Sequence, residues 1–222
     1  MTPMSSFKPD IQAKTQMDRM YRWTRHIYDV TRKYYLLGRN KLVSQMKPQD
    51  GMHICEVGCG TARNLIRMAR KYPHTHFYGL DVSDEMLKTA RKSVVKSGMD
   101  VPLQQGYAQS FDPAEFFGLY KPLDKIVFSY ALSIIPPWQE SIDHAISILP
   151  VGGEMHVVDF GAMDRQPAWF RAFLFWWLDK FHVYHKPEIL EHLQTLEADK
   201  VGTLELTHLY RGYSYIAVFT KL

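Results

Sequence analysis

From residue 51 to residue 222, short apolar runs alternate with segments whose apolar positions recur every three or four residues. That alternation marks strands interleaved with amphipathic helices. The spacing predicts strands over 52–57, 76–80, 101–105, 125–130, 154–160, 204–210 and 213–221. It predicts helices over 62–71, 84–97, 113–119, 141–149, 167–181 and 187–196. Strands joined by helical crossovers form a parallel sheet covered on both faces. The last two strands are separated only by about Arg211 and Gly212, too few residues for a crossover, so they must pair antiparallel. The expected fold is α/β: a doubly wound, seven-stranded sheet, mostly parallel, with an antiparallel terminal hairpin.

Ahead of the sheet, residues 1–15 are polar and without period, and read as a flexible leader. From Met17, the positions Met20, Tyr21, Thr24, Ile27, Tyr28, Thr31, Tyr34 and Tyr35 continue an i, i+3, i+4, i+7 pattern. A long helix with one buried face is expected there, weakened or ended by Gly38. Residues 16–222 therefore read as one domain, with a helical lid at 16–43 and an aromatic helical insertion at 165–185. Within the insertion, Phe170, Phe173, Leu174, Trp177, Leu178 and Phe181 share one helical face, and Phe175 and Trp176 fall outside it. A helix apolar nearly all round suits an interfacial element at a membrane, and a dimer interface has the same look.

Composition narrows the partners. A chain of 222 residues that is 46% hydrophobic can bury a full core. A net charge of +4 is too small to argue for a nucleic-acid partner. Cys55 and Cys59 form no paired CxxC array, so no metal site is expected, and the reading is a reduced, cytoplasmic protein that can work at the inner face of the membrane. The oligomeric state cannot be read from the sequence.

The chemistry concentrates after the first strand, in "ICEVGCGTA" at 54–62. In an open α/β sheet a ligand sits beyond the carboxyl ends of the strands, where strand order reverses, and Gly58 and Gly60 stand there. A dinucleotide site uses GxGxxG, but its third glycine position is occupied by Arg63. The next acidic anchor is Asp81, 25 residues after Glu56, at the end of the second strand, where a carboxylate reaches ribose hydroxyls. Val82 and Met86 are then placed to flank an adenine. "DVSDEM" also makes a good helix start, with Ser83 as cap, and the two readings coexist.

Glu56 followed by "VGCGTA" resembles the first motif of class I S-adenosylmethionine-dependent methyltransferases, with Ala62 in place of the third glycine. The resemblance implies a Rossmann-like fold and S-adenosylmethionine as cofactor. It implies Glu56 at the cofactor's amino-acid end, with Gly58, Cys59 and Gly60 around it, and Asp81 on the ribose. "QGYAQSF" resembles the segment at the adenine edge, with Ala108 and Gln109, and "VFSYALSIIPPW" the segment lining the transfer site, with Ser129 and Tyr130.

"MDRMYRWTRHIYDVTRKYYLLGRNKLV" at 17–43 and the ending "YRGYSYIAVFTKL" resemble the bacterial betaine lipid N-methyltransferases, with Asn40 and Trp23 as departures. That family methylates the amino group of diacylglyceryl-homoserine three times. The chain is too short to carry the aminocarboxypropyl transfer that builds the headgroup as well. Tyr21, Tyr28 and Tyr35 recur every seven residues, and aromatic faces attract a growing quaternary ammonium. Tyr28 and Tyr130 are the candidates to act on the reacting amine, and Tyr21, Trp23, Tyr35 and Arg39 to hold the substrate. Packing of these tyrosines on the sheet, and a solvated face for the arginines, are the competing roles. A soluble small-molecule amine is the alternative acceptor. Membrane contact is expected through Phe175 and Trp176.

Overall fold

The computed structural model describes residues 35–179 and 185–222, so the leader and most of the expected leading helix, with Tyr21, Trp23 and Tyr28, lie outside the described residues. Seven strands form one sheet: β1 (His53–Val57), β2 (His76–Asp81), β3 (Leu103–Gln105), β4 (Lys125–Ser129), β5 (Glu154–Phe160), β6 (Gly202–Leu209) and β7 (Ser214–Lys221). Their order is β3-β2-β1-β4-β5-β7-β6. β1 runs parallel to both β2 and β4, and β7 lies antiparallel between β5 and β6. The order therefore reverses between β1 and β4, where a crevice opens at the carboxyl ends.

The described helices are α1 (Arg39–Gln45), α2 (Arg63–Lys71), α3 (Asp84–Ser97), α4 (Pro113–Phe117), α5 (Trp138–Ile148), α6 (Ala168–Asp179) and α7 (Glu188–Ala198). Leu42 and Val43 of α1, Leu65 and Met68 of α2 and Leu87 of α3 belong to one buried layer with Ile54, Val127 and Val158 of the sheet. Ile142 of α5 and Ile189 and Leu193 of α7 form the other layer, with Cys55, Phe128, Val157 and Ala217. Burial on both faces is why these strands read as continuous apolar runs. α3 begins as its sequence dictates: Ser83 Oγ accepts from Met86 N, Asp84 and Glu85 fill the first turn, and Gly98 ends the helix in the left-handed region.

Four boundaries differ from expectation for physical reasons. β3 starts at Leu103, because Pro102 has no N–H to give a ladder and contributes only its carbonyl, to Gly79 N. Gly38 stands at a break in the expected lid: at φ 93 it precedes α1, which carries the helical segment on to Gln45, two residues past the expected end. α5 begins at Trp138, behind Pro137, whose carbonyl accepts from both Ser141 N and Ser141 Oγ. The turn joining β6 to β7 is longer than two residues, and Tyr210, Arg211 and Gly212 all take positive φ, at 50°, 58° and 79°.

The aromatic insertion also departs from its expected facing. Phe170 and Trp177 pack on the core around buried Leu174, but Phe173, expected on that inner face, is 55% exposed. It shares the outer face with Trp169, 73% exposed, and Trp176, 54% exposed, at i, i+4 and i+7. Position 173 is one residue, about 100° of helix rotation, from buried Leu174, which carries it out of the inner stripe that Phe170, Leu174 and Trp177 form.

Where β5 leaves the sheet, the chain runs hard against the β6–β7 turn: Gly161 N donates to Tyr213 O at 2.9 Å and Met163 N to Gly212 O at 2.9 Å. A Cβ at Gly161 would lie 2.2 Å from the Gly212 carbonyl oxygen, which cannot yield without breaking that ladder. Gly161→Ala is expected to cost about 3 kcal/mol, read as a lower urea midpoint with an unchanged slope.

Candidate active site

β1 delivers Glu56 to the crevice, and the chain then turns through Gly58 (φ 73) and Gly60 (φ 55) into α2. A Cβ at Gly58 would stand 2.8 Å from Ala131 Cβ, so the loop passes directly under the segment that follows β4. Its backbone donors point inward. Gly58 N and Cys59 N both donate to Leu80 O, at 2.8 and 3.0 Å, Gly60 N donates to Asp81 Oδ2 at 2.7 Å, and Ala62 N to Cys59 O at 3.0 Å. A pyrophosphate-binding loop keeps such groups for its anion. Here Gly58 N, Cys59 N and Gly60 N bind the end of β2, Ala62 N closes the loop on itself, and the Glu56 carboxylate shares the cavity lining with the loop. Ala62, the residue in the third glycine position, caps α2 at φ 62.

Glu56 is 1% exposed. Its Oε1 accepts from Asn64 Nδ2 at 2.7 Å, and its Oε2 has no hydrogen-bond partner among the described residues. Burial pushes the carboxyl up to about 7; Asn64 and Arg39 oppose that rise and Asp81 reinforces it. Asn64 escaped the sequence reading. Its signal was position alone, in the first turn of the helix after a glycine loop.

Asp81 is buried and works as a clamp, its Oδ2 on Gly60 N and its Oδ1 on Ser83 N at 2.9 Å. The edge beyond it is tied down by Gly106 N to Asp81 O at 3.1 Å and by Gln105 Nε2 to Val82 O at 2.9 Å. Met86 and Ala108 are buried along this edge and Gln109 is half-buried. Ser129 ends β4, and its buried Oγ has no partner among the described residues.

Glu56, Gly58, Cys59, Gly60 and Ser129 thus come together around one cavity of about 50 Å³, joined by Leu36, Arg39, Thr61, Arg63 and Asn64. Asp81, Val82, Met86, Ala108 and Gln109 lie outside that lining, at the end of β2 and along the β2–β3 edge, and Tyr130 lies outside it just after β4. Arg39 enters because three tyrosine hydroxyls hold the main chain around it. Tyr213 donates to Tyr35 O at 2.7 Å, Tyr72 to Val43 O at 2.8 Å, and Tyr130 to Leu37 O. Tyr130 takes φ 55, its ring meets Phe160 at 4.7 Å, and the Arg39 guanidinium lies 5.9 Å from its centroid. Burial holds its phenol well above the ordinary range. Tyr35 stacks on Phe160 at 6.5 Å. A buried tyrosine hydroxyl needs an acceptor, but the sequence could not show that the acceptors are these carbonyls.

A buried carboxylate oxygen without a donor calls for a cationic group, and a guanidinium in the same lining calls for an anionic one. The α-amino-acid end of S-adenosylmethionine carries both. The residues present fit that cofactor and do not fit a dinucleotide.

The family model described as Methyltransferase domain matches residues 48–204. The chain belongs to that family. It is 26% identical over 194 residues to a demethylmenaquinone methyltransferase of Listeria monocytogenes serotype 4a (strain HCC23), covering 83% of this chain and 79% of the relative. It is 30% identical over 120 residues to a phosphatidylethanolamine N-methyltransferase of Cereibacter sphaeroides, covering 53% of this chain and 55% of the relative. In fold it is similar to the magnesium protoporphyrin IX methyltransferase of Synechocystis PCC 6803 solved with bound S-adenosylmethionine, at a TM-score of 0.65 and 16% identity, over 97% of this chain and 100% of that one. The protein is an S-adenosylmethionine-dependent methyltransferase.

Proposed function

We propose that this enzyme is an N-methyltransferase that methylates the amino group of diacylglyceryl-homoserine in succession to a trimethylated betaine lipid. The observation that carries the lipid acceptor is the outer face of α6, where Trp169, Phe173 and Trp176 stand exposed together. Aromatic side chains of this kind settle at the boundary between water and hydrocarbon. Among the described residues no helix is long and apolar enough to cross a membrane, so contact through this face would be peripheral. The sequence similarity to a phosphatidylethanolamine N-methyltransferase supports a lipid amine as the acceptor class.

In this reading Glu56 receives the cofactor's ammonium, Arg39 faces a carboxylate, and Asp81 accepts from the ribose hydroxyls. Val82, Met86, Ala108 and Gln109 border the adenine. S-adenosylmethionine supplies an activated methyl group when bound. The chain's own task is to hold a neutral amine in line with it and keep water out. Tyr28 and Tyr130 are the residues assigned to the reacting amine, and Tyr21, Trp23, Tyr35 and Arg39 those assigned to the headgroup, for which cation–π attraction to an aromatic face grows with each methyl.

The test is methyl incorporation from labelled S-adenosylmethionine into diacylglyceryl-homoserine vesicles against free homoserine. Transfer to the lipid alone, with mono-, di- and trimethylated products, is expected; equal transfer to free homoserine overturns the lipid acceptor. A Trp169→Ser/Trp176→Ser variant is expected to co-sediment with those vesicles about tenfold less, the effect of removing two interfacial aromatic side chains, at unchanged affinity for S-adenosylhomocysteine. Undiminished sedimentation would count against this membrane face.

A further inference from the structure

A second cavity, of about 360 Å³, opens beside the β6–β7 turn and shares no lining residue with the one at Glu56. Arg165 and Arg211 line it, with His208, and so do Asp164 and Glu191. None of these four charged side chains makes an ion pair with a described residue, although both signs face one mouth. The lining also includes Tyr215, 1% exposed, whose buried hydroxyl has no hydrogen-bond partner among the described residues. An unsatisfied buried donor of this kind persists where a ligand supplies the acceptor.

The backbone around the cavity is constrained as well. Arg211 is held at φ 58 and Tyr210 at φ 50, a region that non-glycine residues avoid. Gln166 Nε2 fixes the same turn by donating to Tyr210 O at 2.6 Å, and a Cβ at Gly212 would meet Asp164 Oδ1 at 2.5 Å. Strained backbone that the surroundings over-determine tends to sit where a ligand is held.

We propose that this cavity is a binding site for a small zwitterion carrying an oxyanion and an ammonium, the chemistry shared by an amino-alcohol phosphate headgroup of a lipid and its free form. Arg165, Arg211 and the Tyr215 hydroxyl take the oxyanion; Asp164 and Glu191 take the ammonium. A bare anion would meet two carboxylates, and a bare amine two guanidinium groups. The cavity shares no lining residue with the one at Glu56, and the proposal does not depend on which acceptor the enzyme uses.

Calorimetric titration with O-phosphoethanolamine, inorganic phosphate and ethanolamine separates these ligands, and co-sedimentation with phosphatidylethanolamine vesicles separates the lipid source from the soluble one. Saturable binding of O-phosphoethanolamine is expected, about tenfold tighter than either half-molecule, the difference one further charge-assisted contact makes. Binding to these vesicles alone, in excess of that to diacylglycerol-containing vesicles that lack the headgroup and that the α6 face would bind alike, assigns the lipid source. In Arg211→Gln and in Tyr215→Phe the preferred source should bind at least about tenfold more weakly, while affinity for S-adenosylhomocysteine is kept as the sign of an intact fold. Tyr215→Phe is the sharper variant: it removes only a hydroxyl that bonds no described residue, so a merely structural Tyr215 would leave binding untouched. No binding of either source, inorganic phosphate binding as tightly as O-phosphoethanolamine, or variants binding like the parent overturns the proposal.

Discussion

Glu56→Gln is expected to bind S-adenosylhomocysteine on the order of a hundredfold more weakly than the parent chain while unfolding, without ligand, at a higher temperature. Both effects have one cause. The carboxyl is buried and its level has risen to about 7, so above that pH the empty protein holds an ionised group that water no longer stabilises. Glutamine keeps the acceptor for Asn64 Nδ2 and removes the charge.

The sign follows from proton counts. Between the ordinary 4.5 and the folded value of about 7, the folded chain holds a proton that the unfolded chain has released. Stability therefore falls as pH rises through that window and stays lowered above it. The gain from Glu56→Gln should be absent below pH 4.5 and reach about 3 kcal/mol above pH 7, seen in urea unfolding series across pH. Affinity runs the other way. The ligand's ammonium needs the carboxylate, so parent-chain binding should be full above about pH 7 and weaken as pH falls below it, a slope that Glu56→Gln lacks.

Asp81→Asn is expected to lose cofactor affinity too, but with a stability change of the opposite sign. Both carboxylate oxygens accept main-chain donors, Gly60 N at 2.7 Å and Ser83 N at 2.9 Å. An amide offers one oxygen, and its NH₂ must then oppose an N–H inside a buried site. The cost should be about 2 kcal/mol, with the glycine loop released from β2. Urea unfolding and S-adenosylhomocysteine calorimetry on the two variants form a pair. A rise in stability for Asp81→Asn would mean that the clamp is not what holds the loop.

The sheet was legible because its evidence is periodic. Buried strands such as β4 and β5 carry runs of apolar residues, and a gap before β7 too short for a crossover left only an antiparallel ending. Ser83 announced the start of α3 by local chemistry alone. Glu56, Gly58, Gly60 and Asp81 stood out because a sharp turn and a strand-end carboxylate leave a fixed spacing in the chain. Asn64 did not, since it enters the cavity from a helix turn that carries no motif, and Arg39, read as a substrate ligand, shares the lining with Glu56, which its position in the chain could not show. The facing of Phe173 was misread for a related reason. In a helix apolar on nearly every side, period alone does not choose the inner stripe, and the choice fell to the buried Leu174.

The three tyrosine hydroxyls that hold the segment from Tyr35 to Val43 all grip main-chain carbonyls. Carbonyls are common to every residue, so this mount does not depend on which side chains it carries. The segment can therefore be rewritten at its outward positions without being unfastened, a natural handle for retargeting the enzyme to other methyl acceptors by exchanging a short cassette.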